Sequence, residues 1–106
     1  MVKKPGVSVR GSSTGRPIMV LLDVMGQRWA LRVLWELTDG VATFRELRSR
    51  CEDISPTVLN KRLKELRELK LVDLTDEGYA LSMHGTSLSQ LLGPLDVWAN
   101  NWSKNL

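Results

Sequence analysis

Two helix-start signals set twelve residues apart constrain this 106-residue chain more than any other feature. Thr43-Phe44-Arg45-Glu46 has the form of a capping box. The threonine hydroxyl can accept the N–H three residues on, and the glutamate can accept the threonine's own N–H. Ser55-Pro56 is a second start, with serine as N-cap and proline at the first helical position, where its missing N–H is no loss. The interval holds only a short helix, to about residue 50, with Phe44 and Leu47 inward, and a turn at Glu52-Asp53-Ile54. The second signal opens a longer helix over residues 55–69. A short helix, a tight turn and a longer helix form a helix-turn-helix.

On a wheel of about 100° per residue, Leu59, Leu63 and Leu66 share one face of the longer helix, with Val58 and Leu69 at its edge. Thr57, Lys61 and Lys64 fall opposite, flanked by Asn60 and Arg67. Near its start the outer face offers Ser55, Thr57, Asn60 and Lys61. These suit base edges: the amide for adenine, the ammonium for guanine, the threonine methyl for thymine. Lys64 and Arg67 suit phosphates. On the preceding helix, the Thr43 N-cap, Arg45 and Arg48 are candidate phosphate contacts, and Arg50 is a weaker one. Arg62 lies near the core edge, where a salt bridge competes with a phosphate contact. A polar, cationic face is also what any amphipathic helix shows to water; the capped context and the local charge weigh against that plainer reading.

The formal net charge is +3, unevenly spread. Residues 1–16 carry +4 without an acid, residues 43–70 carry +3, and the remainder carries −4. The overall basicity therefore comes from the N-terminus, while the helix-turn-helix is a separate positive region in an otherwise acidic body.

Residues 1–16, rich in Gly, Ser and Lys/Arg, read as a flexible basic arm, either without a role or reaching a DNA groove. Residues 17–106 read as one domain. Pro17 starts a helix carrying Ile18, Leu21, Leu22 and Met25, broken at Gly26. A second helix is expected over residues 28–38, apolar on most of its circumference and therefore central, ended by Asp39-Gly40. Residues 71–74 and 79–82 read as strands around a hairpin turn, Thr75-Asp76-Glu77-Gly78, with Gly78 supplying a positive φ. From about Gly85 a helical pattern returns through Leu88, Leu91, Leu92, Leu95, Trp98, Ala99 and Trp102, with a kink or restart expected at Gly93-Pro94. The fold class is thus mainly α with a small two-stranded β-hairpin: a winged helix-turn-helix.

These segments together resemble the HxlR family of winged helix regulators, within the MarR-like superfamily. Asp23-Val-Met-Gly26-Gln-Arg-Trp29 is similar to the family's D-x-[IL]-G-x-[KR]-W opening. Leu37-Thr-Asp-Gly40 and Phe44-Arg-Glu-Leu47 follow. Ile54-Ser-Pro-Thr-Val-Leu-Asn-Lys-Arg-Leu-Lys-Glu-Leu66 is similar to I-S-x-x-x-L-x-x-R-L-x-x-L. Leu71-Val72 and the Leu81-Ser82, Gly85, Leu88 return complete the match. The resemblance implies a sequence-specific DNA-binding transcriptional regulator acting as a homodimer on double-stranded DNA. It would pair through its N- and C-terminal helices, with the 55–69 helix in the major groove.

An apolar surplus agrees with this. Ile18, Leu21, Leu22, Leu91, Leu95, Trp98 and Trp102 exceed what one small core needs, and a pairing surface would bury them. Packing of the two terminal helices on each other within one chain is the alternative. The four tryptophans, Trp29, Trp35, Trp98 and Trp102, are expected to be mostly buried. A further refinement places a small-molecule effector between the terminal helices.

Two departures from the family stand out. Redox-sensing members carry a cysteine just ahead of the first helix's proline, where this chain has Arg16. The single Cys51 falls where relatives have a core apolar residue and reads as a buried hydrophobe; Arg48 and Arg50 could activate it only if it were exposed. The wing is short and acidic, with Asp73, Asp76 and Glu77, and faces phosphates poorly. Either the N-terminal arm takes over that contact, or affinity for DNA is low. The acidic wing also supports the alternative of a protein-interaction or dimerisation module with weak or no DNA binding.

Catalysis finds no support. His84 is the sole histidine and sits at a strand-to-helix joint as a cap or surface residue, no Cys/His cluster suits zinc, and no glycine-rich phosphate loop occurs. No metal or cofactor is expected. With no apolar run near a membrane-spanning length and no signal peptide, the expected location is the cytoplasm.

Overall fold

The computed structural model describes residues 2–106. Helix α1 spans Pro17–Met25, α2 Ala30–Glu36, α3 Phe44–Arg50 and α4 Pro56–Glu68; strands β1 (Val72–Thr75) and β2 (Gly78–Leu81) follow, and α5 spans Met83–Ser103. A 3-10 turn, Leu37–Asp39, extends α2. This is the winged helix-turn-helix expected of the sequence.

One core joins the elements. Val33, Leu34 and Leu37 meet Leu47, Cys51 and Ile54 from α3 and its turn, Leu59, Leu63 and Leu66 from α4, and Val72 from β1. The three α4 leucines are at most 1% exposed, which fixes the rotation of that helix about its axis. Burying a leucine contributes roughly 1.5–3 kcal/mol, so three in register outweigh any preference of the polar face.

The strands pair antiparallel with Thr75 opposite Gly78, each displaced by one residue from the expected limits. A two-residue turn, Asp76-Glu77, is held by the Thr75 hydroxyl, which accepts from Glu77 N–H (3.2 Å) and donates to the Gly78 carbonyl (2.8 Å). Gly78 has φ +129°, and a Cβ there would stand 2.5 Å from the Ala42 carbonyl oxygen. Only glycine permits that approach, which lets Ala42 and Tyr79 exchange backbone hydrogen bonds of 2.9 and 2.7 Å. The wing is thereby pinned to the loop preceding α3.

Three expectations are corrected. The second helix starts at Ala30 rather than near residue 28, because Trp29 holds a left-handed φ of +76°. It ends at Glu36, its last turn tightening into the 3-10 form. The final helix starts at Met83, with the Ser82 hydroxyl accepting from Gly85 N–H at 3.0 Å, and continues through Gly93-Pro94 without restarting. Proline removes the bond to residue 90 and crowds its carbonyl, but Gln90 is exposed, so that carbonyl can turn to water, while Leu92 is buried in the interior.

Trp29 packs on the core, but Trp35, Trp98 and Trp102 are exposed within the single chain. Trp98 and Trp102 stack on each other, centroids 5.6 Å apart and rings 16° from parallel. No helix among the described residues is long and apolar enough to cross a membrane.

The N-terminal segment lies against the domain. Val9 and Ser12 exchange backbone bonds of 2.9 and 3.0 Å, Gly6 N–H donates to Gly15 carbonyl (2.9 Å), and Val9 is buried. Val2 packs on the core and its N–H donates to Glu68 Oε2 at 3.4 Å.

Candidate nucleic-acid interface

The α3–turn–α4 unit is built as its capping residues require. Thr43 Oγ1 accepts from Glu46 N–H (3.1 Å) while Glu46 Oε1 accepts from Thr43 N–H (3.0 Å), so the capping box is complete. The Thr43 N–H, and after it the Thr43 hydroxyl, favour the Glu46 carboxylate and hold its carboxyl below the ordinary pKa. Ser55 Oγ accepts from Val58 N–H at 3.4 Å, with Pro56 opening α4.

The intervening turn needs two successive left-handed residues, Glu52 (φ +56°) and Asp53 (φ +60°), neither of them glycine. It is secured from both sides. Asp53 N–H donates to the Arg48 carbonyl (2.8 Å), and the Arg48 Nε–H donates to the Ile54 carbonyl (2.8 Å).

The candidate DNA contacts divide into two groups. Thr57, Asn60, Lys61, Lys64 and Arg67 are all exposed on one side of α4, and among the described residues none has a side-chain hydrogen bond or ion pair. Arg45 is exposed at the start of α3 and likewise unpaired. Thr43 and Ser55 are exposed but already serve as caps. Arg48 is half-buried, with its Nε committed to the turn.

Arg50 and Arg62 have structural work. Arg50 donates to the Glu36 carbonyl (3.2 Å), and its own carbonyl accepts from Arg32, which also pairs with Glu36 at 2.8 Å. Arg62 donates to the Arg28 carbonyl (2.6 Å) and pairs with Glu65 (2.7 Å), at 11% side-chain exposure. The core-edge salt bridge was one of the two readings its wheel position allowed. The carbonyl partner, which fixes the turn leading into α2, has no local signature in the sequence.

Two hollows flank the α4 face. A cavity of about 540 Å³ lies between α4, α1 and the N-terminal segment, bordered by Lys61, Lys64, Asp23, Gln27 and Lys3. A groove of about 550 Å³ separates α4 from β1, with Lys64 and Arg67 on one wall and Asp73 and Leu74 on the other. The exposed face of α4 is therefore a ridge between hollows. A convex ridge carrying amide, hydroxyl and unpaired ammonium groups fits the major groove of B-DNA.

Cys51 is fully buried in the core, and burial pushes its thiol pKa up, consistent with the hydrophobe reading. Of the expected pairing residues, Ile18, Leu22, Leu91, Leu95, Trp98 and Trp102 are between 51% and 68% exposed, while Leu21 is half-buried.

The family model for HxlR-like helix-turn-helix proteins matches residues 24–106. The HTH-type transcriptional regulator YvaP of Bacillus subtilis is 31% identical over 88 residues, 76% of this chain and 82% of that protein. Quinone-bound YodB, also from Bacillus subtilis, superposes with a TM-score of 0.71 at 28% identity, covering 79% of this chain and 94% of that one. A possible HxlR family transcriptional factor from Thermoplasma volcanium gives a TM-score of 0.71 at 26% identity, covering 79% and 82%.

Proposed function

The chain belongs to the HxlR-like helix-turn-helix family of DNA-binding transcriptional regulators, and from that premise we propose how it reads DNA. Helix α4 enters the major groove. Ser55, Thr57, Asn60 and Lys61 meet base edges; Lys64 and Arg67 meet phosphates, joined by Thr43, Arg45 and Arg48 from α3. The observation that carries this is the contrast along α4. Arg62 is consumed by the fold, while Lys61, Lys64 and Arg67 keep their charge for something outside it.

The working form is a homodimer. The apolar faces of α1 and α5, with Ile18, Leu21, Leu22, Leu91, Leu95, Trp98 and Trp102, pair with a second copy and set two α4 helices in successive grooves, about 34–36 Å apart. A small-molecule effector sits between the terminal helices. The cavity of about 480 Å³ bordered by Leu21, Leu88 and Leu91 supports this part of the reading. The existence of a quinone-bound form of YodB also supports it. The protein binds and does not catalyse, and it works in the cytoplasm with the DNA it reads.

The test is a footprint on the DNA upstream of the protein's own coding region, with Lys61→Glu/Lys64→Glu as comparison. A protected pseudo-palindrome lost in the double variant is expected. Protection that survives the charge reversal would overturn the assignment of α4.

A further inference from the structure

We propose that the N-terminal segment is a docked part of the DNA-binding surface, with Lys3 as a phosphate ligand beside Lys61 and Lys64. The inference rests on the α4 assignment and extends it to a segment outside the family match, which begins at residue 24.

Three observations carry it. First, the segment is anchored. Val2 packs against the core and its N–H donates to Glu68 on α4 (3.4 Å), while the Gly6–Gly15 and Val9–Ser12 backbone bonds close the loop behind it. Second, the anchor brings Lys3 to the same cavity as Lys61 and Lys64, together with Gln27 from the turn ahead of α2. Third, the three lysines are exposed, whereas the acids of that cavity, Asp23, Glu65 and Glu68, are half-buried and Glu65 is already paired with Arg62 (2.7 Å), so three ammonium groups face two unpaired carboxylates. The outward charge is therefore positive. A phosphate running past α4 would meet three ammonium groups from two segments, and the docked geometry spares the ordering cost a free arm would incur. The acidic wing leaves this contact unshared on its own side of α4.

Docking makes neighbouring lysines unequal. Lys3 borders the cavity and Lys4 does not. A free basic arm would use both alike. The experiment titrates the wild-type chain, Lys3→Ala, Lys4→Ala and Val2→Asn on a mixed-sequence duplex of about 40 base pairs, long enough for two half-sites, over a range of salt. Each lost phosphate contact makes the slope of log K against log salt shallower by about 0.9. With one Lys3 per subunit of a dimer, Lys3→Ala is expected to make the slope shallower by about 1.8, Lys4→Ala to match wild type, and Val2→Asn, which undocks the segment without adding charge and keeps both lysines, to behave as Lys3→Ala. Equal losses in the two lysine variants, no loss in either, or tighter binding on removing Lys3 would each overturn the inference, the last by showing a segment that shields α4. Failure of the α4 assignment is distinct: Lys61→Glu/Lys64→Glu would then bind this duplex as wild type does.

Discussion

The Arg48 guanidinium closes the helix-turn-helix: its Nε–H donates to the Ile54 carbonyl at 2.8 Å, one residue before the Ser55 cap of α4. The bond spans two left-handed residues, Glu52 and Asp53, that a chain without glycine does not adopt readily. Arg48→Ala should therefore destabilise the protein by about 1–3 kcal/mol, the range for a charge-assisted bond to a partly buried group. Urea denaturation reads it as a lower midpoint at unchanged slope. An arginine that served only a phosphate would leave the midpoint where it is.

Asn60 stands exposed on the outer face of α4 without an internal partner, so its amide is free to read an adenine edge. Asn60→Ala is expected to leave the melting temperature within a degree or two and to relax the preference at one base pair of each half-site. The discrimination lost is about 1–3 kcal/mol. Competition binding against single-base operator variants measures it. Uniform weakening across all variants would instead make Asn60 a backbone contact.

These residues also mark how far the sequence was legible. Thr43 with Glu46, and Ser55 with Pro56, are local signals. Their partners lie within three residues, and the structure forms the bonds as read. The leucine stripe of α4 was legible for the same reason, since helical periodicity turns spacing into a face. The docking of Val2 on Glu68 was not, because the partners are 66 residues apart and nothing beside either one announces the other. At Pro94 the helix does not restart, and the packing of α5 as a whole, with Leu92 in the interior, carries it past a residue whose local cost is high. Helical spacing places Trp29 in α2, but its backbone is left-handed, in the turn whose Arg28 carbonyl accepts from Arg62 thirty-four residues on.

The capping box makes stability depend on acid. The Glu46 carboxyl is held below its ordinary pKa by the backbone and then the side chain of Thr43. A group whose folded pKa is depressed contributes fully above its unfolded pKa and loses that contribution as pH falls through the folded one. The melting temperature should thus decline below the normal glutamate range. Glu46→Gln should flatten part of that decline and lower stability slightly at neutral pH. A pH profile of melting temperature identical in the two proteins would show that the charge of Glu46 contributes nothing to the box.

Cys51 has no exposed surface, and burial raises its pKa, so thiolate is scarce and access absent. Iodoacetamide at neutral pH should label the native protein only through opening of the fold, orders of magnitude slower than a free thiol, and promptly in urea. Rapid native labelling would mean that the α3 turn opens readily.

The remaining prediction concerns the faces that one chain leaves uncovered. Trp98 and Trp102 stack at 5.6 Å on α5, beside exposed Leu91 and Leu95, and Ile18 and Leu22 are bare on α1. Leaving so much apolar surface in water is costly, and pairing with a second copy would remove it. Sedimentation of the wild-type chain should give a dimer, and Leu95→Glu, which places a charge within that face, a monomer with intact helical content. The monomer keeps α4 and all its side chains, so its affinity for an isolated half-site should be unchanged. On a two-half-site duplex it loses the second engagement, and with it a factor of about 10²–10⁴ in apparent affinity. A wild-type chain that sediments as a monomer would remove the pairing role of these faces while leaving the reading of α4 untouched.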